Sequence, residues 1–167
     1  MRRTLVISAF IIVCLLFTSS MCFAANKYIR AGATGSKNGS DWTNAYPSFA
    51  SVVWTRGNTY YVAGGTYSEF VDIYKTESGT TPIIIKKANT TDNSGDAGWN
   101  ASYASNQVVI NGAIAIESSY VEIDGVTGSG TSGHGIKVYN SSTDTNALIV
   151  NIVSAHCSAE RLVPRGC

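Results

Sequence analysis

From residue 59 onward the chain is a succession of short apolar runs, each bounded by Gly, Asn, Ser or Asp. They occupy 60–62, 71–73, 83–85, 108–110, 114–116, 121–123, 136–138 and 148–150. Each is too short for a core helix, and most are rich in β-branched or aromatic side chains, which suit a pleated, half-buried surface. Within them apolar and polar positions alternate. Val121 and Ile123 point one way and Glu122 and Asp124 the other; Ile136 and Val138 flank Lys137 in the same manner. A period of two places the aliphatic side chains inside and the charges outside. The outward set is then Asp72, Lys86, Lys87, Glu122, Asp124 and Lys137. Gly112 after Asn111 and Gly125 after Asp124 supply turns, because Asn-Gly and Asp-Gly pairs tolerate positive φ.

The runs recur at intervals of 23 (Tyr60 to Ile83), 25 (Ile83 to Val108), 22 (Ile114 to Ile136) and 27 (Val121 to Leu148). Repeats of this length point to a solenoid in which each turn contributes a few short strands. One turn cannot bury its own apolar face, whereas stacked turns bury a continuous column of Ile and Val. A β-sandwich also has many short strands with turns between them. The two differ in pairing direction, parallel for the solenoid and antiparallel for the sandwich.

Ahead of this rhythm, residues 27–30 read as a first strand and 31–47 as loop. In 48–55, Phe49, Val52 and Val53 share one helical face, and Ser48 can cap the first turn. The spacing predicts a short helix there, covering one end of the β-structure. The prediction is thus an all-β chain of about three to four turns with a short N-terminal capping helix.

Composition adds a compartment. The first 24 of the 167 residues have Arg2 and Arg3, then an uncharged apolar stretch from Leu5 to Phe17, then a small-residue stretch ending in Cys22-Phe-Ala24. That is the layout of a secretory signal peptide cleaved after Ala24. The apolar run falls short of the ~20 residues of a membrane span, so no membrane association is expected after cleavage. A lipoprotein reading of Cys22 stays open. The domain scheme is 1–24 signal peptide, 25–157 β-domain and 158–167 a tail that leaves the apolar rhythm. Without residues 1–24 the chain has ten Lys and Arg against 11 Asp and Glu, a formal charge of −1. It carries no basic stripe, so no nucleic-acid partner is expected. Cys157 and Cys167 remain after cleavage; an oxidising compartment permits a bridge between them, and free thiols are the alternative.

The segment Arg56-Gly-Asn-Thr-Tyr-Tyr-Val-Ala-Gly-Gly-Thr-Tyr67 is similar to the opening turn of pectate-lyase-like right-handed parallel β-helix proteins. Gly79-Thr-Thr-Pro-Ile-Ile-Ile-Lys-Lys-Ala88 resembles the next strand of those proteins, and Ser118-Ser-Tyr-Val-Glu-Ile-Asp-Gly-Val126 a later turn. With Tyr28 and the Gly-Ser-Asp-Trp of 39–42, the resemblance spans roughly 27–152. It implies a right-handed parallel β-helix, a secreted or cell-surface location (extracellular or periplasmic), and polysaccharide or a cell-surface glycan as partner. It implies either the N-terminal fragment of a polysaccharide lyase or hydrolase, as from a truncated reading frame, or a non-catalytic adhesin or glycan-binding protein. Ca²⁺ enters only through this resemblance; the residues themselves identify no cofactor.

No catalytic set is legible. Polysaccharide lyases need a base and a cation that stabilises developing charge. Stacked turns would make Glu122 and Lys137 neighbours on one exposed face, with a solvated surface pair as the plain alternative. Asp92 and Asp96 lie in a loop loosely like a calcium loop, but without its terminal Glu and strict spacing, which favours Asx turns. His134 lies between two glycines, and His156 beside Cys157 has no orienting third group. Tyr60, Tyr61, Tyr67, Trp42, Trp54 and Trp99 are candidate sugar platforms, most of them expected in the core. Trp99, in the long loop 89–106, is the first candidate for sugar contact. The candidate substrate-binding residues are Trp99, Glu122 and Lys137, with no metal site.

Overall fold

The computed structural model describes residues 24–75, 79–125, 134–139, 148–150 and 157–160. The expected signal peptide before Ala24, His156, Cys167 and most of the tail lie outside them. Among the described residues, eleven strands form three sheets. Sheet A takes β1 (Asn26–Ile29), β2 (Thr59–Val62), β5 (Ile83–Lys87), β8 (Val121–Asp124) and β11 (Cys157–Glu160) in that order. Sheet B holds β3 (Gly65–Tyr67), β6 (Val108–Asn111) and β9 (Ile136–Tyr139). Sheet C holds β4 (Val71–Ile73), β7 (Ile114–Ile116) and β10 (Leu148–Val150).

Every one of the eight ladders is parallel, which removes the antiparallel sandwich for the described residues. From β2 onward the chain visits A, B and C in turn, and each strand pairs with the strand three places later. Register then lays apolar side chains over one another. Tyr60 meets Ile85 and Ile85 meets Ile123 in sheet A; Tyr67, Ile110 and Val138 align in sheet B; Val71 and Ile73 meet Ile114 and Ile116 in sheet C. All of these are buried in one continuous cluster. Transfer of apolar surface from water at about 25 cal/mol per Å² makes this column the main stabilising term.

All eight apolar runs and the first strand are strands, but the even spacing is corrected. Ile83 does not stack on Val108, nor Ile114 on Ile136, nor Val121 on Leu148, because each pair divides between two sheets. True stacking separations are unequal: 25 from Tyr60 to Ile85, 38 from Ile85 to Ile123, 43 from Val71 to Ile114 and 28 from Ile110 to Val138. The insertion between β5 and β6 lengthens one circuit. Strand β11 also carries the ladder into the segment read as tail.

The capping helix shrinks to a single 3₁₀ turn, Phe49–Ser51. Ser48 makes no side-chain cap bond; the Glu69 carboxylate accepts from the N–H groups of Phe49 and Ala50, both at 2.9 Å. Partners further along the chain hold the segment from Val53 to Thr55. The Tyr60 hydroxyl accepts from Thr55 N at 2.7 Å and donates to Val53 O at 2.8 Å, while Trp54 Nε1 donates to Asp72 O at 2.8 Å. Phe49 is buried, Val52 partly so, and Val53 is 65% exposed, so no helical face forms.

Candidate functional site

The outer face of sheet A carries the richest chemistry among the described residues. Alternation in β1, β2, β5 and β8 turns Tyr28, Tyr61, Lys86 and Asp124 outward, and register sets them in one row across four strands. Tyr28 and Tyr61 stack with ring centroids 6.2 Å apart. Further along the row Lys86 Nζ lies 3.9 Å from Asp124 Oδ2 and 3.3 Å from Asp92 Oδ2.

Two loops close over the tyrosine end of this row. The first, between β1 and the 3₁₀ turn, brings in Trp42, which is fully buried; the second, between β5 and β6, brings in Trp99 and Tyr103. Trp42 N donates to Ala97 O at 3.1 Å, tying the loops together. The Trp42 ring lies 4.8 Å from Tyr28, 5.5 Å from Trp99 and 5.0 Å from Tyr103. Trp99 meets Tyr103 edge-on at 5.8 Å, and the Arg30 guanidinium sits 5.5 Å over the Tyr103 ring. Such contacts add about 0.5–1.5 kcal/mol each beyond area burial and fix ring orientation. The Trp42 indole N–H, inside this cluster, has no hydrogen-bond partner among the described residues.

The second loop is held from both sides. Asn89 Oδ1 accepts from Asp92 N at 2.9 Å at the start of the helical turn Thr90–Asn93. Asn93 Nδ2 donates to Asp96 Oδ2 at 2.9 Å, and Trp99 N donates to Asp96 O at 3.1 Å. At the other end, at the helical turn Ser102–Ser105, the anchor is Lys87. Its alternation corrects the outward set: β5 ends with Lys87 inward and 2% exposed, its Nζ donating to Ala88 O at 3.1 Å and to Ala104 O at 2.6 Å. Loop carbonyls that would otherwise be buried unpaired give this ammonium its reason to face in. Burial pulls its pKa below the usual lysine value.

Electrostatics follow from these contacts. Burial, reinforced by the hydrogen bond to Asp96, pushes the Tyr28 phenol up to about 12. Burial and then the Asp92 charge push Tyr61 up to about 12. Both phenols therefore stay protonated donors near neutral pH. The Asn89 amide, with Lys86 beside it, holds the Asp92 carboxyl below the usual carboxylate range. Asp92 and Asp96 are thus fixed acceptors engaged with protein donors. Among the described residues no group of three or more His, Cys, Asp or Glu side chains is placed to hold a metal ion.

Of the six aromatic candidates, Tyr60, Tyr61, Tyr67, Trp42 and Trp54 are buried, and Trp99 is half-buried. Glu122 is exposed on β8, two positions from Asp124 on the same face of sheet A. Lys137 lies on β9 in sheet B, opposite Val109, with its Nζ 5.2 Å over the Tyr139 ring. Glu122 and Lys137 are therefore not neighbours: their strands belong to different sheets. His134 accepts from Gln107 Nε2 through its backbone carbonyl. Arg30 and Tyr103 join the site without having been singled out in the sequence, and Tyr28 was noted there only for the family resemblance. The period-two alternation that turned Glu122 outward would have paired Tyr28 with Tyr61, had the register been known.

No helix among the described residues is long and apolar enough to cross a membrane. Comparison of the chain with models of known protein families, with curated proteins and with solved structures found no match.

Proposed function

We propose that this is a secreted, carbohydrate-associated protein whose three sheets wind as a right-handed parallel β-helix, with the Trp99 face of sheet A as its glycan contact. The observation that carries the reading is the strict A, B, C succession, with every strand parallel to the one three places on. A strand that returns parallel to its own sheet through a crossover does so right-handedly in about 98% of cases. Stacked coils of this kind offer a long flat face, and a half-buried Trp on a rigid aromatic wall is the surface on which a sugar ring stacks. Lys86 sits between Asp92 and Asp124 rather than unpaired beside a base. This favours a non-catalytic glycan-binding role over a lyase.

The test is to mix the mature protein with neutral glycans and polyuronates, with and without Ca²⁺, and follow retention on immobilised glycan and absorbance in the ultraviolet. Binding without a new chromophore is the expected result. Appearance of an unsaturated product would replace binding by lyase chemistry, and release of reducing ends by hydrolysis. No retention on any glycan would end the carbohydrate reading.

A further inference from the structure

We propose that removal of the signal peptide after Ala24 delivers the new α-ammonium group of Ala25 into a seat already built by Asn58, so that the processed N-terminus pins the first coil. The proposal rests on the secretory part of the reading above and is independent of its glycan part.

Two separate observations meet at this seat. The small-residue stretch ending at Ala24 sets the scissile bond between Ala24 and Ala25. Strand β1 begins one residue later, at Asn26. At the new terminus, Ala25 N donates to Asn58 Oδ1 at 3.1 Å, and Ala25 O accepts from Thr59 N at 3.1 Å. Ala24 and Ala25 are both exposed, whereas Asn58 is 5% exposed. Asn58 is fixed in its turn. Its N–H donates to Thr55 O at 3.3 Å and its carbonyl accepts from Ile84 N at 3.1 Å, which ties it to the next coil. A buried carboxamide oxygen without a donor is costly, and Ala25 N supplies the donor.

Hydrolysis changes the donor and not its place. Water gives its oxygen to the Ala24 carbonyl carbon as the C–N bond breaks. Ala24 leaves as a carboxylate, and the two protons of that water convert the Ala25 nitrogen to an ammonium. One of its three N–H groups keeps the bond to Asn58, and the exposure of Ala25 leaves the other two to water. A charged donor makes such a bond shorter and roughly twice as strong. Further along β1 the free edge is already covered. Tyr28 N donates to Gly39 O at 3.3 Å, Tyr46 N to Tyr28 O at 2.8 Å and Arg30 N to Tyr46 O at 2.9 Å, while β2 pairs with the opposite edge. The ammonium therefore anchors the leading end of a strand that is paired on both sides.

The experiment expresses the full chain with its own signal peptide in a secreting host and reads the exported protein by intact mass and N-terminal sequencing. Ala25 is expected as the first residue. Its α-amine is expected to titrate above the usual range of about 7.7–8.0. Asn58→Asp, which sets a carboxylate opposite the ammonium, is expected to tighten its hold on that proton about tenfold further. Zero-length carbodiimide coupling of this variant is expected to join Ala25 N to the carboxylate introduced at position 58, as read by peptide mapping. A control with Gly-Ser-Gly-Ser inserted between Ala24 and Ala25 moves the α-amine away, and is expected to titrate in the usual range and not to couple. Circular dichroism checks the fold of each variant; should Asn58→Asp not fold, the α-amine of the parent against that of the extended control carries the decision. Equal titration of those two α-amines, or a folded Asn58→Asp that neither shifts nor couples, would overturn the inference and leave the secreted glycan reading standing. Cleavage at another bond would overturn it likewise. A chain retained uncleaved in the cell would overturn the secretory reading and this inference with it.

Discussion

Glu69 and Ser48 show how a single carboxylate can replace a local cap. A helical turn leaves its first N–H groups without partners, and a Ser before the turn is the usual remedy. Here the partner comes from 20 residues further on: both Glu69 oxygens accept, at 2.9 Å, from Phe49 N and Ala50 N. Glu69→Ala should lower stability by about 1–2 kcal/mol, since charge-assisted bonds to free N–H groups are at the strong end of the range. Ser48→Ala should stay within about 0.5 kcal/mol. Urea unfolding of the two variants decides the matter, and equal losses would mean that Ser48 caps after all. Lys87 teaches the same lesson from the core side. Its place at the end of an apolar run was legible, but alternation counted from Lys86 and Lys87 as a polar pair could not say which of them faces in. The carbonyls that draw it inward, those of Ala88 and Ala104, belong to the loop, and the more distant of them comes near only after the chain has turned.

At the scale of elements, the strands were legible and their stacking partners were not. Period-two alternation is local, so it located eight runs and, at Val121, Ile123, Ile136 and Val138, their inward side chains. It also missed β3, where Gly65-Thr-Tyr67 offers only one buried side chain, Tyr67. The corners between strands are governed by a different constraint. Gly112 follows Asn111 and was read as a positive-φ turn residue. Its φ is not positive; what it needs is space, because a Cβ there would lie 2.2 Å from Glu69 O of the neighbouring circuit. Gly64 meets Asn106 O at the same distance. Backbone therefore passes directly over backbone at these corners, and any side chain pushes two circuits apart. Gly112→Ala should cost about 1–3 kcal/mol, as overpacking of a close contact does. A turn whose only demand was conformational would accept Ala more readily at a φ outside the left-handed region. A thermal midpoint for Gly112→Ala equal to that of the parent protein would refute the close approach of the two circuits.

For the whole molecule the decisive property is which strand lies on which. An even repeat of about two dozen residues would set Ile84 beside Val109. The structure instead sets Ile84 beside Glu122, because the loop that carries Trp99 lengthens the circuit between β5 and β8. The same insertion that defeated the spacing argument supplies the aromatic wall, so the irregular circuit and the candidate site have one origin. Neighbouring parallel strands lie about 4.7–4.9 Å apart, within the Cα range that a disulfide bridges, roughly 4.4–6.8 Å. Ile84 and Glu122 both face outward from sheet A, whereas Val109 belongs to sheet B. In a background with Cys157 and Cys167 replaced by Ser, the pair Ile84→Cys, Glu122→Cys should close on mild oxidation. The pair Ile84→Cys, Val109→Cys should stay reduced, and so should Ile84→Cys, Ile123→Cys, since a shift of one residue turns the second side chain to the opposite face. Peptide mapping of the oxidised proteins reads all three. Closure of the Val109 pair in place of the Glu122 pair would mean that the circuits are of equal length, and that the loop bearing Trp99 does not lie over sheet A.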